Sequence, residues 1–174
     1  SVMASSVDIL RKVWRGEHHE EGALRPVEPF PVQEGGPRVL AGVMGPKGLA
    51  SAATWADGVA GMSLTGTVDD IAQSLQQAQA AWSEAGAAQP LTFYSSFWFA
   101  LGDTADQQVA THLNRYFNWL DDASRRAMVE VAGFRGSPTA LKERLKAIAD
   151  LGVDELLLIP TAIDPQEVDR AADV

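Results

Sequence analysis

The chain has 174 residues, 46% hydrophobic and 21% charged, with 15 glycines and 9 prolines. That composition belongs to a globular protein and excludes the collagen-like, low-complexity and coiled-coil classes. Fourteen Lys and Arg against 23 Asp and Glu leave a net charge of -9, which argues against wrapping nucleic acid, because phosphate neutralisation needs a basic face. No cysteine is present, so disulfides, thiolate nucleophiles and cysteine-based zinc sites are excluded together. No apolar run approaches the ~20 residues of a bilayer span. Ser1–Ser6 lacks the basic region and apolar core of a signal peptide. The expectation is a single cytoplasmic domain over 1–174 that partners neither nucleic acid nor membrane.

In chain order, residues 6–16 place Val7, Leu10 and Trp14 on one face, a helix stopped by Gly16. Residues 17–37 carry Pro26, Pro29, Pro31, Gly35, Gly36 and Pro37, a long loop of the kind that is functional or linking. The apolar run 38–43 predicts a first buried strand. Gly45-Pro46 then turns the chain into a small-residue helix over 47–56, with Pro pre-set for its first position. Asp57-Gly58 ends that helix, and 59–62 reads as a second strand. Thr67 caps a helix running to about Ala85, with Ile71, Leu75, Ala78 and Trp82 on its buried stripe. Residues 90–101 are aromatic and β-branched, hence a third strand. Helices follow over 104–120 and 124–132. Ser137-Pro138 opens another, lined by Leu141, Leu145, Ile148 and Leu151. Residues 155–160 form the fourth strand, and Asp164-Pro165 starts a terminal helix.

Alternating strands and helices predict an α/β fold with a parallel sheet and right-handed crossovers. Four strands is half of eight, and a complete (β/α)8 barrel takes about 250 residues. The arithmetic favours the C-terminal half of such a barrel.

For chemistry, the informative segment is Gly42-Val43-Met44-Gly45-Pro46-Lys47. A strand that ends in a glycine turn at a helix start offers free backbone N–H groups and a positive dipole end, both suited to a phosphate. An ordinary strand–turn–helix corner reads the same way. The glycine spacing is neither a dinucleotide fingerprint nor a Walker loop. His18-His19-Glu20-Glu21 lacks metal-ligand spacing and reads as a solvated loop. His112 reads as a surface or half-buried residue, and Asp69-Asp70 and Asp121-Asp122 as helix-end acids. The five tryptophans read as core first. Trp98 or Phe99 is the alternative wall of a ligand cavity, since neighbours on a strand face opposite ways. Ser95 and Ser96 have no triad partners, and no catalytic residue is assigned.

LRKVWRG at 10–16, the proline-rich loop, RVLAGVMGPKGLASAATWADG at 38–58 and GSPTALKERLKAIADLGVDELLLIPT at 136–161 together resemble the luciferase-like, flavin-dependent oxidoreductases. The resemblance spans nearly the whole chain in the family's order. It implies a TIM barrel that binds reduced FMN or a deazaflavin coenzyme (F-420 type) at the C-terminal ends of its strands and acts on a small-molecule substrate as an oxidoreductase or monooxygenase. It gives the cofactor phosphate to Gly42, Val43, Met44 and Gly45, mainly through their backbone, and places Met62 and Ser63 near the cofactor. Met44 stands where many relatives have another glycine. The acidic tail of a deazaflavin coenzyme needs a cation, for which Lys47 and Arg38 are the candidates. From another class, a non-catalytic half-barrel binding a phosphate-bearing ligand or a partner chain fits the same features. Half a barrel also leaves sheet edges and an apolar inner face uncovered, drawn from Val39, Leu40, Phe93, Phe97, Leu156 and Leu158 or their strand neighbours. The expected assembly is a homo-oligomer, most simply a two-fold dimer.

Overall fold

A computed structural model describes residues 2–18, 22 and 25–174. Five parallel strands form one sheet flanked by helices. The chain divides into two compact units, residues 1–59 with 77–92, and residues 60–76 with 93–174.

The first unit holds α1 (Val2–Trp14), β1 (Leu40–Ala41) and α2 (Pro46–Ala52), together with most of β2 (Gly58–Ala60) and the later turns of α3 (Val68–Ala85). In the parallel ladder, Leu40 pairs with Gly58 and Ala41 with Val59. Both strands are shorter than the sequence suggests, because the chain leaves the ladder at Gly42 and at Gly61. On α1, Val7 is buried but Leu10 is 44% exposed. Periodicity marks a face and does not supply the cover for all of it. On α3 the stripe is as expected, with Ile71, Leu75, Ala78 and Trp82 all buried. Asp57 ties this unit together. One carboxylate oxygen meets Arg11 at 2.8 Å, and the other accepts the Val39 N–H at 2.7 Å.

The second unit holds β3 (Thr92–Leu101) beyond its first residue, α4 (Ala105–Tyr116), α5 (Asp122–Val131), β4 (Phe134–Gly136), α6 (Pro138–Ala149), β5 (Glu155–Pro160) and α7 (Pro165–Ala172). Strand β5 pairs with β3 from Tyr94↔Glu155 to Phe99↔Pro160, and β4 pairs with its end from Phe99↔Phe134. The three-residue β4 has no counterpart in the sequence reading, and α4 stops at Tyr116 rather than Leu120. The helix starts follow the sequence. Asp121 caps α5, Ser137 caps α6 and Asp164 caps α7, each accepting backbone N–H groups of the first turn.

Alternation along β3 separates two faces. Phe93, Ser95, Phe97, Phe99 and Leu101 are all buried. On the other face, Trp98 and Ala100 pack with Val109, Leu113 and Phe117 of the α4 region, whereas Tyr94 and Ser96 are only half-buried. The expected open face therefore shifts by one residue. Phe93 and Phe97 are sealed, of their strand neighbours only Tyr94 and Ser96 are partly open, and on β5 the exposed residue is Leu157 rather than Leu156 or Leu158.

Candidate functional site

The candidate residues divide between the two units. In the first, Gly42, Val43, Met44, Gly45 and Lys47 share the turn that joins β1 to α2. Gly45 is the N-cap of α2, with Pro46 at the first helical position and no side chain capping the helix start. Its backbone is extended, with φ -121° and ψ 161°, so glycine is not demanded there by conformation. What glycine supplies is room, since a Cβ added at Gly42 or Gly45 would meet nothing within 4 Å. Met44 is 67% exposed, and Lys47 is exposed beside it. An uncapped helix start, two positions without side chains and an adjacent ammonium fit a phosphate or another anion.

Arg38 stands at the opposite end of β1. Its guanidinium donates to the Thr92 hydroxyl at 2.9 Å, and that bond explains the residue without a ligand.

In the second unit, Met62 and Ser63 follow the C-terminal end of β2. Met62 packs against the cluster built on Trp98 and Ala100. Ser63 is buried, and its hydroxyl is already engaged. It donates to Asp70 at 2.5 Å and accepts the Gly66 N–H at 2.8 Å. Its backbone N–H donates to the Ser96 carbonyl at 2.8 Å. Ser63 thus shapes the turn after β2 rather than presenting a free hydroxyl.

His112 is half-buried between rings, 5.9 Å from Trp98 and stacked on Tyr116 at 6.1 Å. Its Nε2 is buried without a hydrogen-bond partner. Burial, and behind it the charge of Arg115, lowers its pKa below the ordinary 6.5. Trp98 belongs to the core. Phe99 lines an apolar cavity of about 250 Å³ with Leu158, Pro160, Val168, Ala171 and Ala172. A groove of about 440 Å³ in the first unit runs past Arg11, Trp55, Asp57 and Trp82. Neither includes a residue of the Gly42–Lys47 turn. Among the described residues no three His, Asp or Glu gather as a metal site, and no helix is long and apolar enough to cross a membrane. His19, Glu20 and Glu21 lie outside the described residues.

Sequence reasoning missed Glu167, which is fully buried. It accepts the Leu101 N–H at 2.5 Å and pairs with Arg170. A Glu in the first turn of a helix signals dipole complementarity, and nothing local signals its long-range amide partner.

No curated protein matches the chain. Among solved structures, an F420-dependent secondary alcohol dehydrogenase in complex with an F420-acetone adduct aligns with TM-score 0.64 and 11% identity, over 97% of this chain and 60% of its own. The coenzyme F420-dependent tetrahydromethanopterin reductase from Methanopyrus kandleri aligns with TM-score 0.66 and 13% identity, over 97% and 59%. A long-chain alkane monooxygenase aligns with TM-score 0.58 and 15% identity, over 89% and 44%. The chain therefore spans about 60% or less of these relatives' length, and at such identities the likeness is one of fold, that of a partial TIM barrel. A family model for luciferase-like monooxygenases matches residues 2–155. With that match over most of its length, the chain belongs to the luciferase-like monooxygenase family.

Proposed function

We propose that this chain is the cofactor-holding C-terminal half-barrel of a luciferase-like oxidoreductase or monooxygenase, using reduced FMN or a deazaflavin coenzyme on a small-molecule substrate. The observation that carries the reading is the Gly42–Lys47 turn within a chain of this family. It joins an uncapped helix start, open space at both glycines and a lysine on the first helical turn. When bound, the flavin or deazaflavin ring supplies the redox chemistry. This chain's share is to bind and orient. The backbone of Gly42, Val43, Met44 and Gly45 takes the phosphate, Lys47 takes further negative charge, and the turn at Met62 and Ser63 borders the ring. Neighbours of the same fold are described as F420-dependent, which supports a deazaflavin without choosing it over FMN.

The test is titration of the chain with FMN and with the deazaflavin, followed by absorbance and fluorescence, beside a Gly45→Val variant. The extended backbone at Gly45 accepts Val, so the fold stays intact while the added branch crowds the phosphate. Affinity should fall about tenfold or more, which is about 1.4 kcal/mol. Unchanged affinity in a folded variant makes the turn an ordinary corner. Failure of the unmodified chain to bind either cofactor favours a non-catalytic half-barrel.

The same reading includes self-association into a two-fold dimer. Support comes from Leu157, 48% exposed on the sheet, with Ile163 and Val168 also exposed. Sedimentation at low micromolar concentration decides it, and a compact monomer removes the dimer.

A further inference from the structure

The turn after β2 is tied down by hydrogen bonds from Ser63 to Thr67. Besides the bonds of Ser63, the Leu64 carbonyl accepts the Gly133 N–H at 2.8 Å. The Thr65 hydroxyl donates to Asp70 at 3.1 Å and lies 2.9 Å from the Thr67 hydroxyl. The Thr67 carbonyl accepts the Ile71 N–H at 3.2 Å, which opens α3. Gly66 adopts φ +64°, and a Cβ there would come within 2.9 Å of the Phe97 ring, so the backbone lies directly on the sheet.

The Gly66 carbonyl is met from a distant element. Arg144 of α6 donates to it through Nη1 at 2.9 Å, across 78 positions of sequence. The same guanidinium stands 4.8 Å over the ring of Phe134 on β4, an arrangement that fixes its plane. Among the described residues no carboxylate pairs with Arg144. A half-buried arginine without an ion pair is costly to keep. Its charge is spent on one carbonyl and one ring face, both of which hold the turn in place.

We propose that Arg144 is a positioning residue for the cofactor end of β2. By bonding the Gly66 carbonyl from behind, it completes the Ser63–Asp70 network and holds the backbone at Met62 and Ser63 ready-formed. A ligand that borders this strand end then meets a wall already ordered, and ordering a loop at the moment of binding costs affinity. Asp70 does the same work from the first turn of α3, through the hydroxyls of Ser63 and Thr65. The consequence for binding rests on the cofactor reading given under Proposed function. The bracing itself does not.

Two variants test this, Arg144→Leu and Arg144→Lys, with three readouts. Amide hydrogen exchange is followed at Gly66 and Gly133 against the strand amides of Phe97–Ala100. The melting temperature is recorded, and FMN and deazaflavin are titrated. In Arg144→Leu the Gly66 and Gly133 amides should exchange about tenfold faster while the β3 amides keep their protection, and cofactor affinity should fall with them. Arg144→Lys, which keeps a donor but loses the planar fork, should recover part of both. Exchange that stays as in the unmodified chain, or rises equally across β3, overturns the bracing. Faster exchange with unchanged affinity overturns the positioning role. If the unmodified chain binds neither cofactor, the functional reading falls, and the exchange result still decides whether Arg144 holds the turn.

Discussion

Arg11 and Asp57, 46 positions apart, meet at 2.8 Å, and the second oxygen of the same carboxylate takes the Val39 N–H at 2.7 Å. One side chain thereby fastens α1 to the residue before β2 and also fixes the entry to β1. Asp57's own backbone N–H donates to the Val39 carbonyl at 2.8 Å, so the two strand entries are cross-linked twice. The ion pair is about one-third exposed on each side, so solvent screens it. The amide bond is the stronger element.

The two halves of that arrangement separate by mutation. Arg11→Ala should cost less than about 1 kcal/mol, as partly exposed ion pairs do. Asp57→Ala also leaves the Val39 amide without its acceptor and should cost about 1.5–3 kcal/mol. Urea unfolding of both variants measures the order, and equal losses would show that the amide bond contributes nothing.

Gly45 and Gly58 should respond oppositely to alanine. At Gly58 an added Cβ would overlap the carbonyl oxygen of Thr92 and lie 2.8 Å from its carbon, both backbone atoms that cannot swing away. Gly58→Ala should cost about 3 kcal/mol or more. At Gly45 the space is open and the backbone extended, so Gly45→Ala should change stability by no more than about 1 kcal/mol, in the stabilising direction. Thermal melts of the pair check both signs.

His112 predicts a pH dependence. Burial holds its folded pKa below the ordinary 6.5, so the unfolded chain binds the proton more readily. Stability from the neutral ring is fully present above 6.5 and is lost as pH falls through the lower, folded value. His112→Phe keeps a ring in the Trp98 and Tyr116 contacts and removes the titration. The difference in unfolding free energy between the two chains should shift in the variant's favour as pH drops from about 8 to about 5. Parallel pH profiles would contradict the assignment.

Lys47 separates the two cofactors. Charge reversal, Lys47→Glu, should weaken the deazaflavin with its acidic tail more than FMN, and the loss should shrink as salt is raised. Titrations at low and high ionic strength read this directly, and a loss independent of salt argues against a tail contact.

What the sequence makes legible is mostly local. The Ile71, Leu75, Ala78 and Trp82 stripe of α3 and the caps at Asp121, Ser137 and Asp164 follow from spacing and from side chains that reach two or three residues along. The turn from β1 into α2 is legible for the same reason, as a glycine and a proline at a helix start. Strand β4 escapes because three residues, Phe134-Arg135-Gly136, carry no hydrophobic alternation. It exists because β3 extends far enough to pair with it. Asp57 reads locally as a helix stop, although its partners are Arg11 and Val39. Arg144 has no place in the sequence analysis, and only the fold brings it to Gly66. Each miss is a side chain whose function lies many residues away, where no periodicity points.

The attachment of α7 is lopsided. Its first turn carries the Asp164 cap and the buried Glu167, held by the Leu101 amide, whereas Val168 is 53% exposed and Ala172 lies at the surface. Eight residues are too few for a helix to persist by itself. The helix therefore depends on its first turn staying docked. One change at Glu167 would release the whole segment, and with it the wall that Val168, Ala171 and Ala172 give to the cavity beside Phe99.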